Sequence, residues 1–260
     1  MAAAAALGAR GVLAGVLHAP LQLPQRLVHG LSARPWWDDS RAWPVVESLE
    51  AHAAAIREEV LHVHRSQPGG LAALAALAAL TPDSASLVAA GSWHEVDLIR
   101  NGVPVARNLA LMPVTARLLL SMREATSMVR GGCKVSFLSP GTVIAPHSGL
   151  TNSRLRIHLG LSVPRDCGIV VNGEARTWQE GRCLVLDDSF VHSVWHRGTA
   201  PRIILIVDVW HPEMDDAARE ESLADAPELL RNYQAHRDVP PGALATKLAG
   251  GIGEIPKDEV

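Results

Sequence analysis

Four side chains in the stretch APHSGLTNSRLRIHLGLSVP, Ala145 to Pro164, bring chemistry that an apolar segment does not need: His147, Arg154, Arg156 and His158. In an extended strand, alternate side chains share a face. Arg154, Arg156 and His158 then stand on one side, and Leu155, Ile157 and Leu159 on the other. The apolar side is a core face. The basic side, if buried, needs anionic partners, because an unpaired buried cation is very costly. A concave β-barrel interior holding a carboxylate ligand would satisfy it. So would a surface strand whose charges are solvated.

A second cluster follows in LVLDDSFVHSVWHRGTAPRIILIVDVW, Leu184 to Trp210. His192 comes after Asp187 and Asp188, and Arg202 lies ten residues further on, at the head of a β-branched run. Neutral imidazoles are ligands for iron and zinc. Two histidines from different strands, the second followed by an arginine, fit a non-haem iron site with a 2-oxo acid co-substrate. The planar guanidinium would grip the far carboxylate in fork geometry. The same spacing also fits histidines that merely hydrogen-bond in a core or at a surface. Asp188 precedes His192 by four residues, so an extended chain puts both on one face. It could hydrogen-bond a metal-bound water or orient a ligand, or it could be a turn carboxylate making an Asx-type bond.

These residues need a scaffold, and the rest of the chain supplies one. Short strand-like runs separated by turns are expected at Lys134–Leu138, Ser153–Leu161, Gly168–Val171, Arg182–Leu186, Ser193–Trp195 and Arg202–Trp210. Pro140-Gly141, Asn172-Gly173 and Glu180-Gly181 mark turns, and SWHEVDLIRNG reads as a strand ending at the Asn101-Gly102 turn. Many short strands argue for a sandwich or barrel. Upstream, Val45, Val46, Leu49, Ala53, Ile56, Val60 and Val63 form a helical apolar stripe that Pro44 can start. The Ala/Leu run after Gly70 reads as a helix stopped by Pro82, Thr115 to Met128 as another, and Asp216 to Tyr233 as a last one containing Pro227. The expected fold class is mainly β with flanking helices.

The 260 residues suffice for one large domain, and a net charge of −3 gives no reason to expect a nucleic-acid partner. Cys133, Cys167 and Cys183 are far apart, which excludes CxxC-type zinc or redox motifs; three buried thiols are expected, one disulfide being the alternative. No uninterrupted apolar run is long enough for a clear membrane-spanning helix. The first residues are Ala-rich, carry Arg10 and Arg26, and have no acid before Asp38. That is how a transit peptide reads, and also how a disordered extension reads. The closing KDEV is one residue from a KDEL-type retention signal and points to the secretory pathway, so the two ends favour different compartments.

The blocks GLSARPWW, PGTVIAPHSGLTNSRLRIHLGL, TWQEG, LDDSFVHSVWH and RIILIVDVWHPE resemble the catalytic domain of the aspartyl/asparaginyl β-hydroxylases, from about Gly30 to Glu213. The resemblance implies a double-stranded β-helix, a jelly-roll of cupin-like form, and a dioxygenase dependent on Fe(II), 2-oxoglutarate and O2. It implies that His147 and His192 are the iron ligands. The position two after the first histidine, often a third ligand in such oxygenases, is Gly149, as it is in this family. Ser136 and Arg202 are implied for the distal carboxylate of 2-oxoglutarate, and Arg156 and His158 for the metal-proximal one. Arg154, with Arg156, would receive the substrate's carboxylate. Trp93 matches a pocket tryptophan. His196 and His211 are expected to be structural, and His62, His64 and His94 to face solvent.

The implied division of the chain is an extension over 1–29, the dioxygenase domain over 30–214, and a C-terminal helix and tail over 215–260. The short stretch before Gly30 is expected to hold no repeat-rich domain of the kind accompanying larger animal enzymes. The implied reaction is hydroxylation of an unactivated C–H, on the β-carbon of an aspartyl or asparaginyl residue in a peptide or protein. HEVDLIRNGVPVARNLALMP lacks the cysteine pair that animal members carry there, which argues against an EGF-domain substrate. Free or carrier-bound amino acids and lipid acyl chains are alternative substrates. A silent binding protein and a cupin-like metal hydrolase or lyase are alternative classes.

Overall fold

Two apolar periodicities build the molecule, one of two residues and one of 3.6, and they meet on one sheet. The structure is a computed structural model that describes residues 22–76, 86–237 and 239. Its major sheet has six strands in the order β3-β2-β4-β11-β6-β9: Val103–Pro104, Trp93–Arg100, Gly132–Leu138, Arg202–Trp210, Arg154–Ser162 and Cys183–Leu186. The minor sheet has five, in the order β1-β5-β10-β7-β8: Val88–Ala90, Val143–His147, His192–His196, Cys167–Val171 and Glu174–Arg176. All the pairings between these strands are antiparallel. Two facing antiparallel sheets with long crossovers make a jelly-roll, the form that the family resemblance implied and one of the sandwich or barrel forms that the strand spacing allowed.

The outer face of the major sheet is covered by helices. Helix α1 (Pro44–Ala51) and helix α2 (Ala53–Ser66) replace the single expected stripe; the chain turns at His52, between them. All seven stripe residues are buried. They pack with Leu155, Ile157 and Leu159 of β6 and with Ile203, Leu205, Val207 and Val209 of β11. Helix α3 (Gly70–Ala76) joins them; its expected stop at Pro82 lies outside the described residues. After the short helix α4 (Ala106–Leu109), the helix expected over 115–128 is two, α5 (Pro113–Ser121) and α6 (Arg123–Ser127), because Met122 is extended. The last expected helix is also two, α7 (Asp216–Ser222) and α8 (Pro227–Arg237). Pro227 opens α8 instead of sitting inside a longer helix: it has no N–H to donate, and its ring would clash with the preceding turn.

Between the sheets lies a second core of Trp36, Leu138, Ile144, Ile169, Val171, Trp178, Leu186, Phe190, Ile204 and Ile206. It fills part of the barrel and leaves the end that carries the charged residues. Residues 22–28, which the sequence places in an extension, run along that end and pair with it: Gln22 bridges Phe190 and Arg26 bridges Thr151. The three cysteines are free thiols, so the disulfide alternative is not realised. Among the described residues no helix is long and apolar enough to cross a membrane.

Candidate active site

Strand β5 brings His147 and strand β10 brings His192, and the two are direct cross-strand partners. The register shifts between His192 and Val194, a bulge of the kind that re-aims side chains. The imidazole centroids are 4.1 Å apart. Each Nδ1 lies against the carbonyl two residues back: His147 against Ala145 at 2.8 Å and His192 against Phe190 at 2.9 Å. Both Nδ1 atoms therefore carry the proton, and both Nε2 lone pairs are left for a third party. Burial keeps the rings neutral: it lowers His147, and lowers His192 to about 4 with help from the neighbouring ring. Two neutral, converging, correctly tautomeric imidazoles are what a divalent transition metal requires. Among the described residues no group of three or more His, Cys, Asp or Glu could hold an ion, so no third side chain of these types joins the pair there.

Gly149 shows why. A Cβ there would lie 2.5 Å from the Asp188 carboxylate. The place of a third ligand side chain is already filled by Asp188, which is fully engaged: Arg154 donates to it from Nε at 3.2 Å and from Nη2 at 2.7 Å, and Arg156 Nη1 lies at 3.0 Å. Those two guanidinium groups hold its carboxyl far below the ordinary carboxylate range. The Asx-type bond considered for Asp188 is made by Asp187, whose Oδ1 accepts from the Ser189 backbone N–H at 2.9 Å. Burial pushes Asp187 up to about 6.

The basic face of β6 is inside the barrel mouth, and most of its anionic partners are the protein's own. Asp208 on β11 stands opposite Arg156 and accepts from its Nε at 2.7 Å and Nη2 at 3.1 Å. Arg154 and Arg156, expected to meet ligand carboxylates, are bound here to Asp188 and Asp208, because two buried guanidinium groups side by side need two carboxylates. Asp208 was not anticipated. A lone acid in the nine-residue strand RIILIVDVW, apolar but for Arg202 at its head and buried throughout, was the signal: such a group persists only when paired.

Arg202 differs. It is 2% exposed, yet among the described residues it has no carboxylate partner. Its Nε has no hydrogen-bond acceptor, and Nη1 makes only long contacts to Ser136, 3.4 Å to the carbonyl and 3.3 Å to Oγ. Burial pulls it down to about 9. Its guanidinium carbon sits 4.8 Å over the ring of Trp178. Trp178 Nε1 also donates to His158 Nδ1 at 3.2 Å, which puts the His158 proton on Nε2, and that buried N–H too has no acceptor. Trp93 closes the side, its Nε1 donating to Ser136 Oγ at 3.1 Å. A buried, unpaired cation beside orphaned donors is a cradle for an anion. The residues present thus fit both a divalent metal and a carboxylate-bearing co-substrate.

Outward from this cradle opens a cleft of about 600 Å³. Its walls are charged: Glu95 pairs with Lys134 at 2.8 Å, Asp97 pairs with Arg100, and the β6 network forms the floor. The other histidines stay out of it. His196 and His211 are buried and bond to the backbone carbonyls of Ala200 and Ser32, as structural residues do. His62 is exposed as expected; His64 and His94 are half-buried instead, packed around Phe137.

Residues 50–212, more than half of the chain, match the family model described as Aspartyl/Asparaginyl beta-hydroxylase. The chain is 39% identical over 195 residues to the aspartyl/asparaginyl beta-hydroxylase of Mus musculus, covering 74% of this chain and 25% of that protein. It is 48% identical over 134 residues to the mouse aspartate beta-hydroxylase domain-containing protein 2, covering 50% of this chain and 39% of that one. The chain thus spans well under half the length of these relatives. Among solved structures, a cupin domain of a transcriptional regulator from Enterobacter cloacae aligns with 30% of this chain and 79% of its own, at 13% identity and a TM-score of 0.27. A likeness that slight carries no argument, and the fold rests on the sheet topology above.

Proposed function

Because the chain belongs to the aspartyl/asparaginyl β-hydroxylase family, we propose that it is an Fe(II)- and 2-oxoglutarate-dependent dioxygenase hydroxylating an unactivated C–H, most readily the β-carbon of an aspartyl or asparaginyl residue in a peptide. One observation carries the reading. Arg202 is a buried cation with no counter-ion among the described residues, set with the orphaned Nε2–H of His158 in the barrel that also holds two imidazoles with free Nε2 lone pairs.

The bound metal, with the 2-oxo acid and O2, supplies the oxidising chemistry for the C–H bond. Everything else falls to the chain. His147 and His192 would hold the metal, their Nδ1 protons fixed by their own strands. Arg202 and Ser136 would take the distal carboxylate, where a two-point guanidinium contact replaces the long bonds now made to Ser136. His158 Nε2 would donate to the nearer carboxylate. Trp178 holds that proton in place, and Trp93 keeps water from the flank. Asp188, held by Arg154 and Arg156, would set a fixed negative charge beside the two imidazoles. A cleft walled by Glu95, Asp97, Arg100 and Lys134 suits a polar backbone and its side chains; an acyl chain would leave those groups desolvated.

The test measures succinate formed from 2-oxoglutarate with Fe(II), wild type against His192→Ala, together with a +16 Da product from aspartyl and asparaginyl peptides. Succinate release that survives His192→Ala would overturn the assignment. A hydrolase or lyase would gain no thermal stability from N-oxalylglycine and Mn(II) beyond that given by the metal alone.

A further inference from the structure

Residues 22–28 precede the matched family segment, yet they touch both loops that flank the imidazole-bearing strand ends. On one side is the turn before His192. Gln22 Nε2 donates to Asp187 Oδ2 and to Ser189 Oγ, each at 2.9 Å, and the Leu23 N–H donates to the Ser189 carbonyl at 2.9 Å. Gln22 also bridges Phe190, whose carbonyl fixes the Nδ1 proton of His192. On the other side is the loop after His147. Ser148 Oγ donates to the Leu23 carbonyl at 2.7 Å, and the Arg26 N–H donates to the Leu150 carbonyl at 2.9 Å. Asn152 closes the end, accepting from the Val28 N–H at 2.7 Å and donating to the Val28 carbonyl at 2.9 Å.

We propose that residues 22–28 are a strap that sets the spacing of the two metal-binding imidazoles, with Gln22 as the positioning residue that acts through the Asp187–Phe190 turn on His192. The two histidines sit at the ends of short strands, and the loops beside them already meet once, where the Gly149 N–H donates to the Asp188 carbonyl at 2.6 Å; the strap adds its bonds to both. A segment hydrogen-bonded to both loops at once fixes one relative to the other. Groups that orient metal ligands from outside the first shell contribute to affinity without touching the ion. The cut that would release a transit peptide must then fall before Gln22, or the metal site loosens.

The inference rests on the reading of His147 and His192 as a metal site, and the test separates the two. In the full chain, Mn(II) affinity is measured by EPR titration, without co-substrate, for wild type, His192→Ala, Gln22→Ala and Leu23→Pro. The Leu23 side chain is exposed, so its replacement by proline chiefly removes the N–H bonded to Ser189. Gln22→Ala and Leu23→Pro are each expected to weaken Mn(II) binding about tenfold, and Gln22→Glu, which sets a carboxylate against Asp187 in place of a donor, at least as much. The Mn(II) spectrum of the variants should broaden, a change that mere loss of stability would not produce in the folded fraction. If wild type binds no Mn(II), or His192→Ala binds as well as wild type, the metal-site reading fails and the strap with it. If wild type binds and both strap variants match it, the strap alone is refuted.

Discussion

A methylene decides what the site can be. Gly149 is small because the Asp188 carboxylate occupies the space its side chain would take. Gly149→Ala should therefore destabilise the protein by about 1–3 kcal/mol, an overpacking cost, and urea denaturation would measure it. Gly149→Asp should not create a third metal ligand; it would place a second carboxylate against Asp188 and break its pairing with Arg154. Unchanged stability in both variants would show that Asp188 is not held where it stands. Arg202 makes the opposite case. Its charge is buried without a carboxylate partner among the described residues, so Arg202→Met should raise the stability of the ligand-free protein by about 1–2 kcal/mol while abolishing stabilisation by N-oxalylglycine. Thermal melts with and without that compound give both quantities. A large loss of ligand-free stability would mean that Arg202 has structural work to do. The residues of the site were not equally legible. His147, His192 and Arg202 stand out by type and by the family resemblance, and Asp188 by its spacing from His192, whereas Asp208 and the pairing of Asp188 with Arg154 acquire meaning only when β11 and the turn before His192 are folded against β6.

Among the elements, β6 was legible because a buried alternating strand writes its register into its sequence: Leu155, Ile157 and Leu159 face the helices, and Arg154, Arg156 and His158 the barrel. Strand β5 was not. It has five residues, contains Pro146, which cannot donate to a ladder, and reads as loop although it carries His147. The C-terminal helices show a different limit. The apolar pattern runs past Pro227, but proline sterics split it, and the resulting turn places Asp225 beside Arg130 and Arg26. Helix α8 is then held chiefly by Tyr233, buried edge-on against Trp210 at 5.6 Å, its hydroxyl donating to Asp216 at 2.7 Å. Tyr233→Ala should cost about 3–5 kcal/mol and expose the α8 backbone, whereas Tyr233→Phe should cost about 1 kcal/mol. Hydrogen exchange would check this: faster exchange over 227–237 with β6 and β11 unaffected is expected. Equal protection in Tyr233→Ala would show that another contact docks the helix.

For the whole molecule, acid is the informative variable, because the barrel keeps its histidines neutral. Burial lowers His147, lowers His158 well below its ordinary value, and lowers His192 to about 4. An unfolded histidine titrates near pH ~6.5. Between about 6.5 and about 4 the unfolded chain binds protons that the folded chain refuses, so stability must fall as the pH drops, by up to about 1.4 kcal/mol per pH unit for each such group. Asp187 works the other way. Its folded value of about 6 lies above the unfolded one, so it adds stability as the pH falls toward 4. Three histidines outweigh one carboxyl, and the net slope is a loss. On the proposed function Mn(II) would bind the same neutral imidazoles and raise the melting temperature at pH 7, by the equivalent of about 2.7 kcal/mol at a hundred times its Kd. That gain should shrink as protons compete below pH ~6. Melting temperatures across this range, with and without Mn(II), for wild type and His192→Ala, measure both effects. The variant should show a shallower acid slope and no Mn(II) gain. A metal-free profile flat from pH ~7 to ~4, or an Mn(II) gain that survives His192→Ala, would mean that the two imidazoles are neither neutral nor the place where the ion binds.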